Sequence, residues 1–352
     1  MPEKLRVVHM MAGAKVGGAE AFFMRLVGAL AERGLMQHVI TRDYPDVMAF
    51  FDDKGVPVTK AAFRGVLDLK TRLCIKETLA HFKPHIVMTW MSRATQFCPK
   101  GDYTVAARLG GYYDLKYYQK ADYLIGNTQD LQDYFQAQGW PSDHTAYLPN
   151  FVSEPDQSPA ADRRYYDTPK DVPLFLTFGR LHTHKAFDVL IRAMAKVPDA
   201  YLWIGGEGPE ESALRTLVAE LGLTQRVRFL GWQKETSPFY KACDVYVCPS
   251  RIEPLGNVIL EAWIHEKPVV AAESAGPLGL ITPGQNGLLV PLEDHAALSQ
   301  ALSEMLTLPE QTKAIAHSGR QTYDARFSQD AVVAQYLAFF ERVKGTKRSE
   351  GR

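Results

Sequence analysis

Val245-Tyr246-Val247-Cys248, followed by Pro249-Ser250-Arg251-Ile252-Glu253-Pro254-Leu255-Gly256-Asn257-Val258-Ile259-Leu260-Glu261-Ala262, is the stretch that decides how this chain is read. Its first four residues are a short apolar run bounded by turn residues, the pattern of a strand buried on both faces. The Pro/Ser/Gly segment breaks that run, and an apolar helical pattern then continues to His265. Asn257 is expected to cap the helix, which leaves the N–H groups after it without intrahelical partners. A helix start of this kind, with the axial dipole behind it, attracts phosphate. Glu253 and Glu261 stand eight residues apart on either side of it. Carboxylates in those places accept hydrogen bonds from hydroxyls flanking a phosphate, which is the chemistry of a sugar nucleotide.

Outward from this stretch the same alternation repeats. On the second half of the chain, strands are expected at 174–178, 201–204, 227–230, 245–248, 269–271 and 288–290. Helices are expected at 187–197, 211–221, 239–243, 296–306 and 331–343. On the first half, an apolar strand at 5–11 enters the glycine-rich turn Ala12-Gly13-Ala14-Lys15-Val16-Gly17-Gly18-Ala19. A helix follows at 20–33, then strands at 38–41, 86–90, 105–109, 123–127 and 145–148. Strands alternating with helices imply βαβ units and parallel sheets. The pattern fails over 153–172, which is polar and turn-rich, and a linker is placed there. The expected organisation is therefore α/β, with two Rossmann-like, doubly wound domains facing across a cleft. The first spans 1–152 and the second 173–327, and a last helix, 328–345, returns to the first. Ligands in such sheets sit beyond the carboxyl ends of the strands.

The bulk composition excludes several classes. Forty basic and forty acidic residues cancel, so nucleic acid is not an expected partner. Four cysteines in 352 residues make no disulfide framework, and a reducing cytoplasm is the expected setting. Met1-Pro2-Glu3-Lys4-Leu5 lacks the shape of a signal peptide, and no apolar run approaches the roughly 20 residues that span a bilayer.

The motifs narrow the chemistry. Gly13, Gly17 and Gly18 do not have G-x-G-x-x-G spacing, and no Gly-Lys-Ser/Thr ending follows them, so dinucleotide or ATP binding is poorly supported. Phe178-Gly179-Arg180-Leu181-His182-Thr183-His184-Lys185 places two cations just past a strand end, where Arg and Lys neutralise a diphosphate. His182 and His184 have the spacing of a metal pair but no third ligand nearby, and are read as surface histidines. Ile204-Gly205-Gly206-Glu207-Gly208-Pro209 and Phe229-Leu230-Gly231-Trp232 are further strand-end turns. No Asp-x-Asp, Gly-x-Ser-x-Gly or His-Glu-x-x-His occurs, so neither a metal–diphosphate site nor nucleophilic-serine or zinc hydrolysis is indicated.

Taken together these segments resemble glycosyltransferase family 4, whose retaining members have the GT-B fold. Gly17-Gly18-Ala19-Glu20, Gly179-Arg180-Leu181 with Lys185, Gly205-Gly206-Glu207-Gly208-Pro209, Phe229-Leu230-Gly231, the E-x7-E pair Glu253 and Glu261, and Pro268-Val269-Val270-Ala271 follow in the family's order. The resemblance implies that Arg180 and Lys185 bind the donor diphosphate and that Leu255, Gly256, Asn257 and Val258 offer it N–H groups. Glu261 would hold the ribose hydroxyls and Glu253 would lie near the donor sugar. Gly205 and Glu207 would wall the donor site, Gly231 and Trp232 would border the base, and Gly17 and Gly18 would close over the phosphates. Arg180, Lys185 and Glu253 are thus the candidate catalytic residues. No metal or cofactor is expected beyond the nucleotide-diphosphate sugar, with UDP favoured.

The implied activity is metal-independent, retaining transfer to an acceptor hydroxyl of a glycan or glycolipid, in cell-envelope polysaccharide or lipopolysaccharide assembly. The setting would be the cytoplasm, with peripheral association at the inner face of the membrane. One departure stands out. Many relatives carry a histidine after the strand that here reads Ile86-Val87-Met88-Thr89-Trp90-Met91-Ser92, whereas this chain offers Trp90 and Ser92, with His85 before the strand. The acceptor side is left open. Residues 108–118, rich in tyrosine, either line it or form a packed surface helix. A sugar-nucleotide epimerase or hydrolase of the same fold and a non-catalytic sugar-nucleotide-binding protein are the competing readings.

Overall fold

The structure, a computed structural model, describes residues 4–15, 17–65 and 67–348. The chain divides into two compact units, 1–151 with 329–352, and 152–328.

In the first unit the strands are β1 (Arg6–Met11), β2 (Met36–Thr41), β3 (Val58–Lys60), β4 (Ile86–Trp90), β5 (Thr104–Leu109), β6 (Tyr123–Gly126) and β7 (Thr145–Tyr147). Between them run α1 (Gly18–Glu32), α2 (Pro45–Asp53), α3 (Leu69–Phe82), α4 (Met91–Phe97) and α5 (Gln129–Ala137). The sheet order is β3-β2-β1-β4-β5-β6-β7, every pair parallel. β4 and β5 are buried along their whole length, as helices on both faces require.

The second unit repeats the plan with β8 (Leu174–Phe178), β9 (Tyr201–Gly205), β10 (Val227–Gly231), β11 (Val245–Cys248), β12 (Val269–Ala272) and β13 (Leu288–Val290), in the parallel order β10-β9-β8-β11-β12-β13. Its helices are α6 (Phe187–Met194), α7 (Glu211–Glu220), α8 (Ser237–Ala242), α9 (Asn257–Ile264), α10 (Ala275–Leu280), α11 (His295–Thr307) and α12 (Pro309–Arg326). The last helix, α13 (Gln329–Val343), belongs to the first unit, where Val332, Val333, Tyr336, Phe339, Phe340 and Val343 join the core built on β1, β4 and α1.

Three expectations differ from what is found. The helical pattern read over 296–306 and 331–343 left the intervening residues blank, yet they form α12, 18 residues long. Only Ile315, Ala316, Gly319 and Tyr323 of that helix are buried, too sparse a stripe to register as amphipathic. Gly319 lies under the Trp263 indole, where a Cβ would come within 2.5 Å of Cδ1. The stretch 153–172 is anchored on the second unit: Arg163 donates to the Ala242 carbonyl and pairs with Asp244 at 2.9 Å, and Tyr166 lies 4.9 Å from the Trp203 ring. Hydrogen bonds from polar side chains fix it, so hydrophobic periodicity gives no sign of it. Finally, Gly256 rather than Asn257 caps α9. Its φ of 73° is the left-handed conformation that only glycine adopts cheaply, and Asn257 is the first helical residue.

Candidate donor-binding site

In a sheet ordered β10-β9-β8-β11-β12-β13, the order in which successive strands are added reverses between β8 and β11, and the crevice outside their carboxyl ends is where such folds take ligands. The segments singled out from sequence converge there within the second unit. The turn after β8 begins with Gly179, whose N–H donates to Gly205 O at 3.0 Å; Leu181 N–H donates to Glu207 O, and Gly206 N–H donates to Gly231 O at 2.8 Å. Three strand-end turns are thereby laced into one floor. Glycine is required in it: a Cβ at Gly206, where φ is 129°, would sit 2.0 Å from Gly179 O, and one at Gly208 2.3 Å from Leu181 O.

Lys185 ends a short 3-10 turn (Thr183–Lys185), and its stem runs over Gly179, at 3.0 Å from where a Cβ would be. That path brings Nζ to Glu253 Oε2 at 2.5 Å. Glu253 is 8% exposed, so the pair is shielded. Its other oxygen accepts from Gly256 N–H at 3.4 Å, and Ser250 Oγ lies 3.5 Å from Oε2. A carboxylate with a cation, a hydroxyl and an amide around it is held in one orientation. Arg180, by contrast, is exposed and makes no hydrogen bond or ion pair among the described residues. Its charge is uncommitted.

Glu261, one turn into α9, accepts from Tyr240 Oη at 3.0 Å. Tyr240 is fully buried, and burial, with the Glu261 charge added, pushes its hydroxyl well above the usual range, so it stays a donor. Behind it His265 stacks on the Tyr240 ring at 5.1 Å. Its Nδ1 must donate to Glu261 O at 2.7 Å, because a carbonyl only accepts, which leaves Nε2 to accept from Ser237 Oγ at 2.8 Å. Burial lowers the His265 pKa, in keeping with that neutral tautomer. Glu207 accepts from Trp232 N–H at 3.3 Å, and the Trp232 ring is 65% exposed beside Gly231. Leu255, Gly256, Asn257 and Val258 make the turn into α9, whose first amides have no carbonyl partner inside the helix.

Sequence reading missed four contributors. Arg251 grips Asp188 through two bonds of 2.8 Å and donates to Thr183 O, tying the Lys185 turn to the Glu253 turn. Tyr240 and Ser237 lie on α8, where nothing in the local pattern points to α9. Gly276 donates to Glu253 O at 2.6 Å, and a Cβ there would lie 2.5 Å from that oxygen. The small-residue run Ser274-Ala275-Gly276 was the available signal for the last. The His182 and His184 rings lie 4.5 Å apart, His182 Nδ1 accepts from His184 N–H at 3.2 Å, and no group of three metal-ligating side chains occurs among the described residues.

Gly17 and Gly18 begin α1 in the first unit, while Val16 of that turn lies outside the described residues. The turn holds the Glu20 carboxylate, whose Oε1 accepts from Ala14 N–H at 2.8 Å. At the end of β4, Trp90 is buried between Phe22 and Phe23 and serves the core, while the half-buried His85 accepts from Arg6 N–H through Nδ1 at 3.0 Å and braces the start of β1. Of 108–118, Arg108 and Tyr118 are buried, whereas Tyr112, Tyr113 and Tyr117 are exposed. No described helix is long and apolar enough to cross a membrane.

The second unit thus gathers two cations, a helix start and two anchored glutamates at the switch point of a parallel sheet. Comparison with known proteins gives the family and the fold. The model of the family described as glycosyl transferases group 1 matches residues 160–322. The lipopolysaccharide core biosynthesis glycosyltransferase LpsE of Rhizobium meliloti (strain 1021) is 37% identical over 339 residues, covering 95% of this chain and 98% of its own. The chain belongs to the glycosyl transferases group 1 family. A glycosyltransferase from Rickettsia africae ESF-5 superposes with a TM-score of 0.85 at 18% identity over 97% and 98% of the two chains. Anabaena HepE, solved with UDP and glucose, does so with 0.80 at 20% identity over 96% and 100%. The fold is accordingly that of GT-B glycosyltransferases, two Rossmann-like α/β domains.

Proposed function

We propose that the protein is a retaining, metal-independent glycosyltransferase of family 4 that moves a sugar from a nucleoside-diphosphate donor, UDP-linked first among the candidates, to an acceptor hydroxyl in lipopolysaccharide core assembly. It would act in the cytoplasm and peripherally at the inner membrane face. The observation that carries this reading is the Lys185–Glu253 pair at 2.5 Å, set at the start of α9 with Arg180 uncommitted beside it. As the bond to the anomeric carbon lengthens, negative charge grows on the departing diphosphate. Arg180, Lys185 and the first amides of α9 stabilise that charge without reorganising, which is the main electrostatic task of such a transfer. Glu261, held by Tyr240, accepts from the ribose hydroxyls. Glu253, oriented by Lys185, Ser250 and Gly256, accepts from hydroxyls of the donor sugar. Glu207 and Trp232 border the base. The role of LpsE in lipopolysaccharide core biosynthesis supports the choice of acceptor class.

The test is to incubate the protein with UDP-, GDP- and ADP-sugars and a truncated lipopolysaccharide core, with and without EDTA. The expected product is a conjugate whose anomeric configuration, read by NMR, matches the donor's, formed equally with chelator present. Free isomerised or hydrolysed sugar without conjugate, an inverted product, or loss of activity in EDTA would each overturn part of the reading.

A further inference from the structure

The first unit contains a cavity of about 490 Å3 on the side of its sheet opposite the strand carboxyl ends. It opens beneath the amino ends of three adjacent strands. Arg6 begins β1, His85 precedes β4, and Asp102 precedes β5; α3 supplies Lys76 and its C-terminal cap Lys83, and Lys100 completes the rim. Four cations face one carboxylate, in a chain whose total charge is zero. The carbonyl end of α3 adds only about half a negative charge. Lys76 and Lys83 make no ion pair among the described residues, while the Arg6 guanidinium is braced by its Nε bond to Lys83 O at 2.7 Å. Leu79, Pro84 and Tyr103 give the cavity an apolar wall.

We propose that this cavity is a second anion site, one that takes a phosphate or diphosphate group joined to an apolar or ring-bearing moiety. Lys76 and Lys83, ammoniums without an ion pair among the described residues beside an apolar wall, are the charges that a phosphate would neutralise. The Lys76 and Lys83 ammoniums suit phosphate oxygens as point charges. The phosphate group belongs either to a small soluble metabolite or to a lipid headgroup; both offer the same oxygens to the same cations. The site does not depend on the donor-site reading, since it lies in the other unit and at the opposite ends of the strands.

The test uses inorganic pyrophosphate and the full chain carrying Arg180→Ala and Lys185→Ala, so that the candidate donor site no longer contributes. Calorimetry should show binding that survives in this protein and weakens at least tenfold when Lys76→Glu and Lys83→Glu are added. Lys70→Glu, on the same helix but outside the cavity, controls for bulk charge and should leave binding within twofold. Circular dichroism confirms that the charge-reversed protein is folded; if it is not, Lys76→Gln with Lys83→Asn, which tolerates the left-handed backbone at position 83, replaces it. A second arm measures sedimentation with phosphatidylglycerol/phosphatidylcholine vesicles. Loss of vesicle binding in the charge-reversed protein assigns the anion to a lipid headgroup. Loss of pyrophosphate binding alone assigns it to a soluble phosphate. Absence of pyrophosphate binding, or binding indifferent to the charge reversal, overturns the proposal.

Discussion

At the start of α1, Glu20 folds back into its own glycine turn, where Oε1 accepts from Ala14 N–H at 2.8 Å. At the start of α9, Glu253 stands ahead of the helix, receives Gly256 N–H at 3.4 Å and is paired with Lys185. Both are strand–turn–helix elements beside a switch point, and both hold a carboxylate. Their charge balance is opposite. Glu20 has no cation partner among the described residues, so its turn is already filled by an anion, and a Cβ at Gly17 would lie 2.3 Å from Oε2. The α9 start has its carboxylate neutralised by Lys185 and keeps Arg180 in surplus. A glycine-rich turn into a helix does not by itself make a phosphate site; the countercharge around it decides.

The largest effect expected from this contrast is at Lys185. Lys185→Ala removes one cation from the leaving group and releases Glu253 as an unpaired, shielded carboxylate, so the transfer barrier should rise by about 2–4 kcal/mol, roughly 30- to 1000-fold in kcat. Glu20→Gln, which removes the charge in the other turn, should leave kcat within a few-fold. Equal losses in the two proteins would erase the distinction between the two turns.

Backbone geometry separates them next. Gly206→Ala forces a left-handed residue and a Cβ 2.0 Å from Gly179 O, which cannot move without parting β8 from β9. A loss of about 3 kcal/mol in urea unfolding is expected. Gly18→Ala places its Cβ within 4 Å of nothing and sits in the first turn of α1, so stability should hold or rise by a few tenths of a kcal/mol. The same sign for both substitutions would contradict the packing described.

Acid should find the first unit through His9. Its ring is completely buried on β1, Nε2 shares a 3.0 Å hydrogen bond with Gln37, and burial lowers its pKa to about 3. Because Gln37 Nε2 is spent on Val27 O, the Gln37 oxygen accepts and His9 Nε2 donates. The folded pKa lies below the unfolded one, so between about 6.5 and 3 the unfolded chain binds the extra proton and stability falls as pH falls. At pH 5 the loss should be about 2 kcal/mol relative to pH 7. Most carboxylates are still ionised there, and the difference in urea midpoint between wild type and His9→Gln isolates the histidine. A wild-type midpoint that does not fall between pH 7 and 5 would remove His9 from this role.

How far the sequence carried differs between the same two places. The bounds of β4, β8 and β11 coincide with the apolar runs that announced them, because a strand buried on both faces leaves an unbroken signature. The place of Arg180, Lys185 and Glu253 in strand-end turns of one sheet, and of Glu261 in the helix that follows, was legible from their position past apolar runs. Their partners were not. Lys185 and Glu253 are 68 residues apart, and only the order of β8 and β11 in the sheet makes them neighbours. The Gly256 cap went unseen because Asn257 is the better capping side chain by type, whereas the turn required a left-handed backbone more than a side-chain acceptor. α12 was invisible because a helix that buries four residues in eighteen has almost no periodic signal.

The smallest effect is the most discriminating for the α9 turn. Tyr240 touches no part of the proposed donor; its hydroxyl reaches Glu261 Oε2 at 3.0 Å and, more weakly, Val258 O at 3.3 Å. Tyr240→Phe keeps the ring that stacks on His265 and deletes only those bonds. If Tyr240 positions Glu261 for the ribose, the donor KM should rise about fivefold, near 1 kcal/mol, with kcat almost unchanged. Removing the target of that alignment should abolish the effect: in a Glu261→Gln background, or with a donor lacking the ribose hydroxyls, Tyr240→Phe should no longer change KM. A purely structural role would instead lower the unfolding midpoint while leaving KM alone. An equal fall in kcat would place the hydroxyl in the reaction itself, and with it Glu261, so the ratio of the two constants decides whether this carboxylate binds or reacts.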